Sequence, residues 1–410
     1  MGYLLERYGK IDLGELLRVD LRQLNVLLFI MIFAAVIVAS VDLNGVGLNI
    51  VSYACLAINL SSTFFLIALY ARRAKVTWFV FLVSLFSLFW MLSSIVNGIE
   101  LKQCFYSGCS LIFLAILCDY YQDRFYFIVA SFAIAFAFCA YWNLFYLLSH
   151  PELWIIDVLK TEKGYLLGAN YNQMGCRLLC AVAASVACQR YSKWWIVNTI
   201  PVTIVSLISL SLVGSMTSLT GITLFVLLTL IPSRNLLKLA IVSLLASVIL
   251  FQVFVCFQGK GLENNELAVY FIEDVLEKDI TFSRRTYLWD AASKLFWASP
   301  VYGHGCVSGD WYLSNMSARA QGPHNFIWFV LIQGGLIMLA VFTSVCLITA
   351  SKFVNTKARS VLNIYAAIAI LCLMMIMEVY PTPFIFFLLS MAFFMPRTTA
   401  ESPVKESAAT

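Results

Sequence analysis

Ser283-Arg284-Arg285-Thr286, then Pro300-Val301-Tyr302-Gly303-His304-Gly305, then Gly322-Pro323-His324-Asn325: these three groups mark out one polar stretch, residues 258–325, in a chain of 410 residues that is otherwise apolar. Hydrophobic residues make up 61% of the chain and charged residues 12%, against roughly 45–50% and 25% in soluble domains. The composition therefore describes a polytopic integral membrane protein, all-α because its apolar runs have the length of membrane helices. The net charge of +5 is spread over short clusters between apolar runs. That is the pattern of membrane loops and not of a nucleic-acid surface.

At about 20 apolar residues per crossing, the chain reads as about twelve spans. They fall near 24–41, 47–70, 77–96, 104–119, 125–148, 172–188, 194–212, 216–232, 239–256, 325–349, 361–379 and 382–395. The expected organisation is a cytoplasmic N-terminal segment (1–23), spans 1–9 (24–257), a large extracytoplasmic loop (258–324), spans 10–12 (325–396) and a cytoplasmic tail (397–410). Orientation follows from the positive-inside rule. Arg72, Arg73 and Lys75, Arg190 and Lys193, Arg234 and Lys238, and Lys352, Lys357 and Arg359 share one face with both termini. The short loops of the other face hold only Lys102, Lys160 and Lys163. His150, His304 and His324 then all lie outside. The residues before the first span are too long and amphipathic for a secretory leader, so that span is expected to remain uncleaved.

Within the loop two helices are expected, folded back over the bundle or lying on the membrane surface. One follows Asn264-Asn265 with Leu267, Tyr270, Phe271, Val275 and Leu276 as its apolar stripe. The other is capped by Ser283, faces inward through Leu288, Ala291, Ala292, Leu295 and Phe296, and ends at Pro300 and Gly303-His304-Gly305. Most of the twelve cysteines lie inside apolar runs, and only Cys306 sits well inside the loop, so no disulfide framework is expected there. Cys176 and Cys180, one helical turn apart with no histidine nearby in sequence, read as packing residues and not as metal ligands.

Few residues are left to carry chemistry. Arg284 and Arg285 occupy a helix's first turn, where cations oppose the helix dipole. An arriving anion reverses that: free N–H groups, the dipole and two guanidiniums converge on it. The competing reading is contact with lipid headgroups. His324 stands where the loop re-enters the membrane and can act as general base towards a hydroxyl; alternatively it only marks a helix start, with Asn325 as cap. Arg177 is the one basic residue deep in a span and must face protein or a wet cavity. It follows the polar run Gly168-Ala169-Asn170-Tyr171-Asn172-Gln173, so Arg177 and Asn172 can address one outward cavity, or Arg177 can pair with a buried carboxylate. Glu378 can pair with an arginine or orient His324. Asp290 reads as a surface residue.

Taken in order, Arg284/Arg285 with Leu288-Trp289, Pro300-x-x-Gly303-His304-Gly305, His324-Asn325 and Gly334-Gly335 resemble the O-antigen polymerase/ligase family. The resemblance covers roughly residues 165–345, and the order of the motifs is more specific than any one of them. It implies an integral membrane glycosyltransferase acting on undecaprenyl-diphosphate-linked oligosaccharide at the outer face of the bacterial cytoplasmic (inner) membrane. It further implies a loop arginine on the donor diphosphate, His324 as catalytic group, no metal or other cofactor, and a chain-length regulator and a flippase as partners. Asn172, Asn325, Glu378 and His304 are the expected supporting residues. Where the family often has Ser-Arg between the seventh and eighth spans, this chain has Gly214-Ser215-Met216-Thr217-Ser218; Arg177 is expected to supply the missing charge. Met338, where ligases favour a small or polar residue, leans the reading towards a polymerase. The alternatives are an O-antigen ligase and, from another class, a lipid-linked oligosaccharide flippase or transporter, disfavoured by the absence of internal repeats.

Overall fold

The computed structural model describes residues 21–395 except 74, 156–164, 169, 276–278, 283, 318 and 319. Every regular element among these residues is helical. Among the described residues nine long helices precede the polar stretch: α1 (Leu21–Ser40), α2 (Asn49–Ala71), α3 (Trp78–Val96), α4 (Lys102–Tyr120), α5 (Phe125–Ser149), α6 (Met174–Cys188), α7 (Ile196–Val213), α8 (Met216–Leu230) and α9 (Arg234–Phe251). Inside it lies α10 (Arg285–Ala298), and after it come α11 (Phe326–Phe353), α12 (Arg359–Met375) and α13 (Thr382–Phe394). A helix occupies each expected span. With their flanking turns, α2, α3, α4, α5, α7, α9 and α11 are the seven long and apolar enough to cross a membrane, and α1, α8, α12 and α13 are shorter apolar helices. The chain's tails, Lys160, Lys163 and the proposed cap Ser283 lie outside the described residues.

The core forms around α6, α12 and α13. Every residue of α6 is buried, because Gly175, Ala181, Ala183, Ala184 and Ala187 let neighbouring backbones come close. Cys176 and Cys180 pack here as small side chains, fully enclosed. Gly175 meets Ser218 of α8 so closely that a Cβ would collide with the serine hydroxyl. Aromatic rings fill the space between α13, α3, α5 and α11: Phe79 stacks on Phe393, Phe86 meets Phe386, and Phe136 meets Phe387. By contrast α2 and α9 are largely exposed, as helices facing lipid would be.

The polar stretch folds back onto the bundle. Trp289 and Phe296 of α10 pack with Trp328, Leu331 and Ile332 on the first half of α11. The buried face of α10 is Thr286, Trp289, Ala292 and Phe296, so the expected stripe is rotated: Leu288, Ala291 and Leu295 flank it. The N-cap is Arg284, in left-handed conformation with φ 68° and no side-chain cap bond. The expected helix after Asn265 is a single α-turn, Glu266–Val269, widening into the π-turn Tyr270–Val275. A third short helix, Gly309–Asn315, is capped by Ser308, whose hydroxyl accepts from Trp311 N–H.

Helix α11 breaks at Gly335, which takes φ 62°, ψ −160°. The break frees backbone groups that the loop satisfies. His304 N–H donates to Ile332 O (2.7 Å), Gly305 N–H to Gln333 O (3.0 Å), and Leu336 N–H to Pro300 O (2.9 Å). Ser93 of α3 also donates to Gln333 O at 2.8 Å, and Trp90 Nε1 donates to Gln333 Oε1 at 2.8 Å. An unpaired backbone group inside a bilayer is costly, so this exchange holds the loop to the helix. It demands glycine on both sides. A Cβ on Gly303 would stand 2.6 Å from the Gly334 nitrogen, and one on Gly335 would strike the Val301 carbonyl.

Candidate active site

His324 is the last residue before α11's cap and lies in left-handed conformation, φ 46°. Its position is set by Asn325, fully buried, whose Oδ1 accepts from Trp328 N–H (3.0 Å). Asn325 Nδ2 donates to Gln252 Oε1 (2.8 Å) beyond the end of α9 and to Ile376 O (3.1 Å) beyond α12. One side chain thus caps α11 and ties it to two neighbouring helix ends.

The imidazole of His324 faces Glu378. Nδ1 lies 3.2 Å from each carboxylate oxygen. The histidine side chain is 31% exposed and the glutamate 7%, so the pair presents the imidazole to the open side. With Nδ1–H donating to the carboxylate, Nε2 is left as the proton acceptor. Glu378 is itself held: its Oε1 accepts from Val379 N–H (3.1 Å) and its Oε2 from Asn172 Nδ2 (3.4 Å). Asn172 accepts at Oδ1 from the Ser215 hydroxyl (3.2 Å), and its carbonyl accepts from Ser218 (3.3 Å). The structure therefore assembles His324, Glu378, Asn172, Ser215 and Ser218 from the loop, the α12–α13 turn, the segment before α6, the α7–α8 turn and the first turn of α8. Among the readings open for Glu378, orientation of His324 is the one observed.

Arg177 does not join this network. Its Nε donates to Ser40 O (2.9 Å), Nη1 donates to Gln173 O (2.6 Å), and the guanidinium lies over the Phe384 ring at 5.1 Å. Neither the outward cavity nor the buried carboxylate expected for it is what it meets: among the described residues no carboxylate pairs with it. Gly168, with φ 101°, leaves the space it fills, since a Cβ there would stand 2.9 Å from Nη1. His304 is likewise apart. Its Nε2 donates to Leu295 O (2.8 Å), tying the turn to α10, and its ring packs against Trp311.

At the start of α10 the two arginines differ. Arg284 is exposed, while Arg285 is half-buried and its Nε is enclosed with no partner. Thr286 Oγ1 and Trp289 Nε1, on the same two turns, are buried and unpartnered too, as is Gln252 Nε2. So many unsatisfied donors in one place are unusual in a folded protein. Of these, Arg285 and Thr286 stand in the first turn of α10, where backbone N–H groups and the dipole favour an anion. Phe282 packs on Phe251 (5.5 Å) and Trp289 (6.3 Å), which seats this turn beside α9 and thus beside Gln252 and Asn325. Asp290, as expected, is a surface residue, paired with Lys294 at 3.0 Å.

Sequence reading did not single out Gln252, Thr286 and Trp289 as candidates, although each has a buried polar atom without a partner. A glutamine inside an apolar run was the available signal for the first. Ser215 stood in the segment singled out for its missing arginine, but its bond to Asn172 needs two chain segments to meet.

No curated protein matches this chain. Residues 197–343 match the model of the O-antigen ligase family. The matched segment spans α7 to the middle of α11 and contains Arg284, Arg285, His304, His324 and Asn325; Asn172, Arg177 and Glu378 lie outside it. The match covers little more than a third of the chain and is consistent with the O-antigen polymerase/ligase family that its motifs resemble.

Proposed function

We propose that this protein is a polysaccharide polymerase that transfers undecaprenyl-diphosphate-linked glycan onto another lipid-linked repeat unit, at the outer face of the bacterial cytoplasmic membrane. The observation that carries the reading is the His324–Glu378 pair at 3.2 Å, at the point where the loop re-enters the bundle. In this reading α1–α9 and α11–α13 each cross the bilayer, both termini are cytoplasmic, and the loop with α10 is extracytoplasmic.

The chemistry follows from the residues. The acceptor hydroxyl attacks the anomeric carbon of the donor; a new C–O bond forms as the bond to the lipid diphosphate breaks. His324 Nε2 takes the hydroxyl proton, a contribution typically of about 10²–10⁴ in rate. Glu378 holds the ring in the required tautomer and stabilises the imidazolium that forms. Negative charge grows on the departing diphosphate, and preorganised donors aimed at it supply much of the catalysis. Arg285, Thr286, Trp289 and the N–H groups of α10's first turn are those donors, with Arg284 at the rim. Arg177 contributes through the field of its buried charge. The isoprenoid tail stays in the bilayer. No metal or other cofactor enters this reaction, and a flippase and a chain-length regulator are the expected partners.

The family matched is described as an O-antigen ligase, which favours one second reading: transfer of finished glycan to lipid A-core or protein. Met338 supports the polymerase; it is fully buried beside the Gly335 break. The test is the gel ladder of surface glycan in a deletion strain complemented with wild type or His324→Ala. Single-repeat glycan on its acceptor, with the ladder lost, supports the polymerase. Full-length glycan stranded on the carrier lipid supports the ligase. An unchanged ladder with stable expression of the variant overturns both.

A further inference from the structure

Four helices that hold the site at one end enclose a second chamber at the other. Helix α6 begins beside Asn172 and ends at Gln189 and Arg190; α7 ends beside Ser215 and begins at Ile196; α8 begins after Ser215 and ends at Leu230; α12 ends before Ile376 and begins at Arg359. Their far ends line a cavity of about 640 Å³, within the roughly 300–1,000 Å³ range of small-molecule sites.

Its lining is divided. The walls are apolar: Val182, Val186, Phe225 and Val226. Ile200, Ile204 and Leu230 line it as well, and each is more than half exposed, so the chamber opens sideways where a bilayer would lie. The polar end carries Arg190 and Arg359, and no carboxylate is among the lining residues. Arg359 is committed to the end of α8, donating to Thr229 O (2.6 Å) and Pro232 O (3.0 Å). Arg190 is different: its Nη1 is buried with no hydrogen-bond partner, and so is the Asn363 Oδ1 that shares the lining. Next to Arg190, Trp194 is 82% exposed and Trp195 Nε1 donates to Tyr126 OH (3.2 Å). Exposed tryptophans and tyrosines gather at headgroup level, so the guanidinium stands at the depth of a lipid phosphate.

We propose that this chamber binds an anionic glycerophospholipid of the leaflet opposite His324, its phosphate on Arg190 and one acyl chain along the Ile200–Phe225 wall. The orphaned Nη1 gains a charge-assisted bond, and the cation receives the counter-charge that no side chain lining the chamber supplies. The site is separate from the glycan chemistry and stands whether the protein is polymerase, ligase or transporter.

The test uses the purified, delipidated full-length protein, with bound lipid counted by native mass spectrometry. The probes are phosphatidylglycerol, phosphatidylcholine and inorganic phosphate. Wild type is expected to hold phosphatidylglycerol about tenfold more tightly than phosphatidylcholine. Arg190→Gln is expected to erase that preference, while Lys193→Gln, which changes an exposed lysine nearby, preserves it. Arg190 donates no hydrogen bond from Nη1, so the variant should fold, and an unshifted melting curve without lipid checks this. Equal affinity for the two lipids, an equal effect of inorganic phosphate, or a preference that survives in Arg190→Gln overturns the proposal.

Discussion

His324 precedes α11 and Glu378 follows α12, yet Nδ1 of the histidine meets the carboxylate at 3.2 Å, with Asn172 Nδ2 donating to Oε2 of the same group. A histidine pinned through Nδ1 keeps one nitrogen for chemistry, and the pinning group is itself pinned. The arrangement has the logic of a base with an orienting acid.

Replacing His324 by alanine should lower the transfer rate by about 10²–10⁴. Glu378→Gln should lower it less, and the double variant should be no slower than His324→Ala alone, because the two act as one unit. Single-turnover rates with a lipid-linked donor measure this. Additive losses would separate the two residues.

The arginines before α10 should divide. Arg285→Ala is expected to weaken donor binding, visible as a raised KM, since its enclosed Nε loses its proposed ligand. Arg284→Gly should stabilise the fold by about 1 kcal/mol, because glycine takes a left-handed φ without a Cβ penalty. A melting curve reads the second and donor titration the first. If Arg284→Gly is neutral to stability and abolishes donor binding, the roles assigned here are reversed.

Gly303→Ala and Gly335→Ala should each destabilise the protein by about 1–3 kcal/mol or more, since a Cβ at either position meets backbone that cannot move without breaking the loop's bonds to α11. Reduced yield and a lower melting temperature in detergent are the expected readouts. A wild-type melting curve for both would show that the turn is not held by this contact.

Asn325→Ala should act on folding more than on chemistry. It removes an N-cap worth about 1 kcal/mol and strips partners from Gln252 and the Ile376 carbonyl, at about 1–3 kcal/mol for each buried group left unsatisfied. The activity remaining per folded molecule should exceed that of His324→Ala. Activity lost as completely as in His324→Ala, with an unchanged melting curve, would make Asn325 a member of the reacting constellation.

Residue type and order were enough to read the membrane class, the positions of the apolar helices and the one long polar stretch, and to single out His324 as a candidate. Apolar run length and polar clustering are local properties, and lipid leaves helices as the open choice for such runs. What each polar side chain touches is a different matter. That Glu378 serves His324 and not an arginine, that Arg177 turns to the Ser40 and Gln173 carbonyls, and that His304 binds Leu295 O depend on contacts between segments far apart in the chain. The glycines at 303 and 335 stood in the sequence as two separate motifs. Only packing makes them one feature, because the backbone groups freed by the break in α11 find their partners in the loop turn. In a bundle this apolar each polar group has few partners within reach, and tertiary structure selects among them.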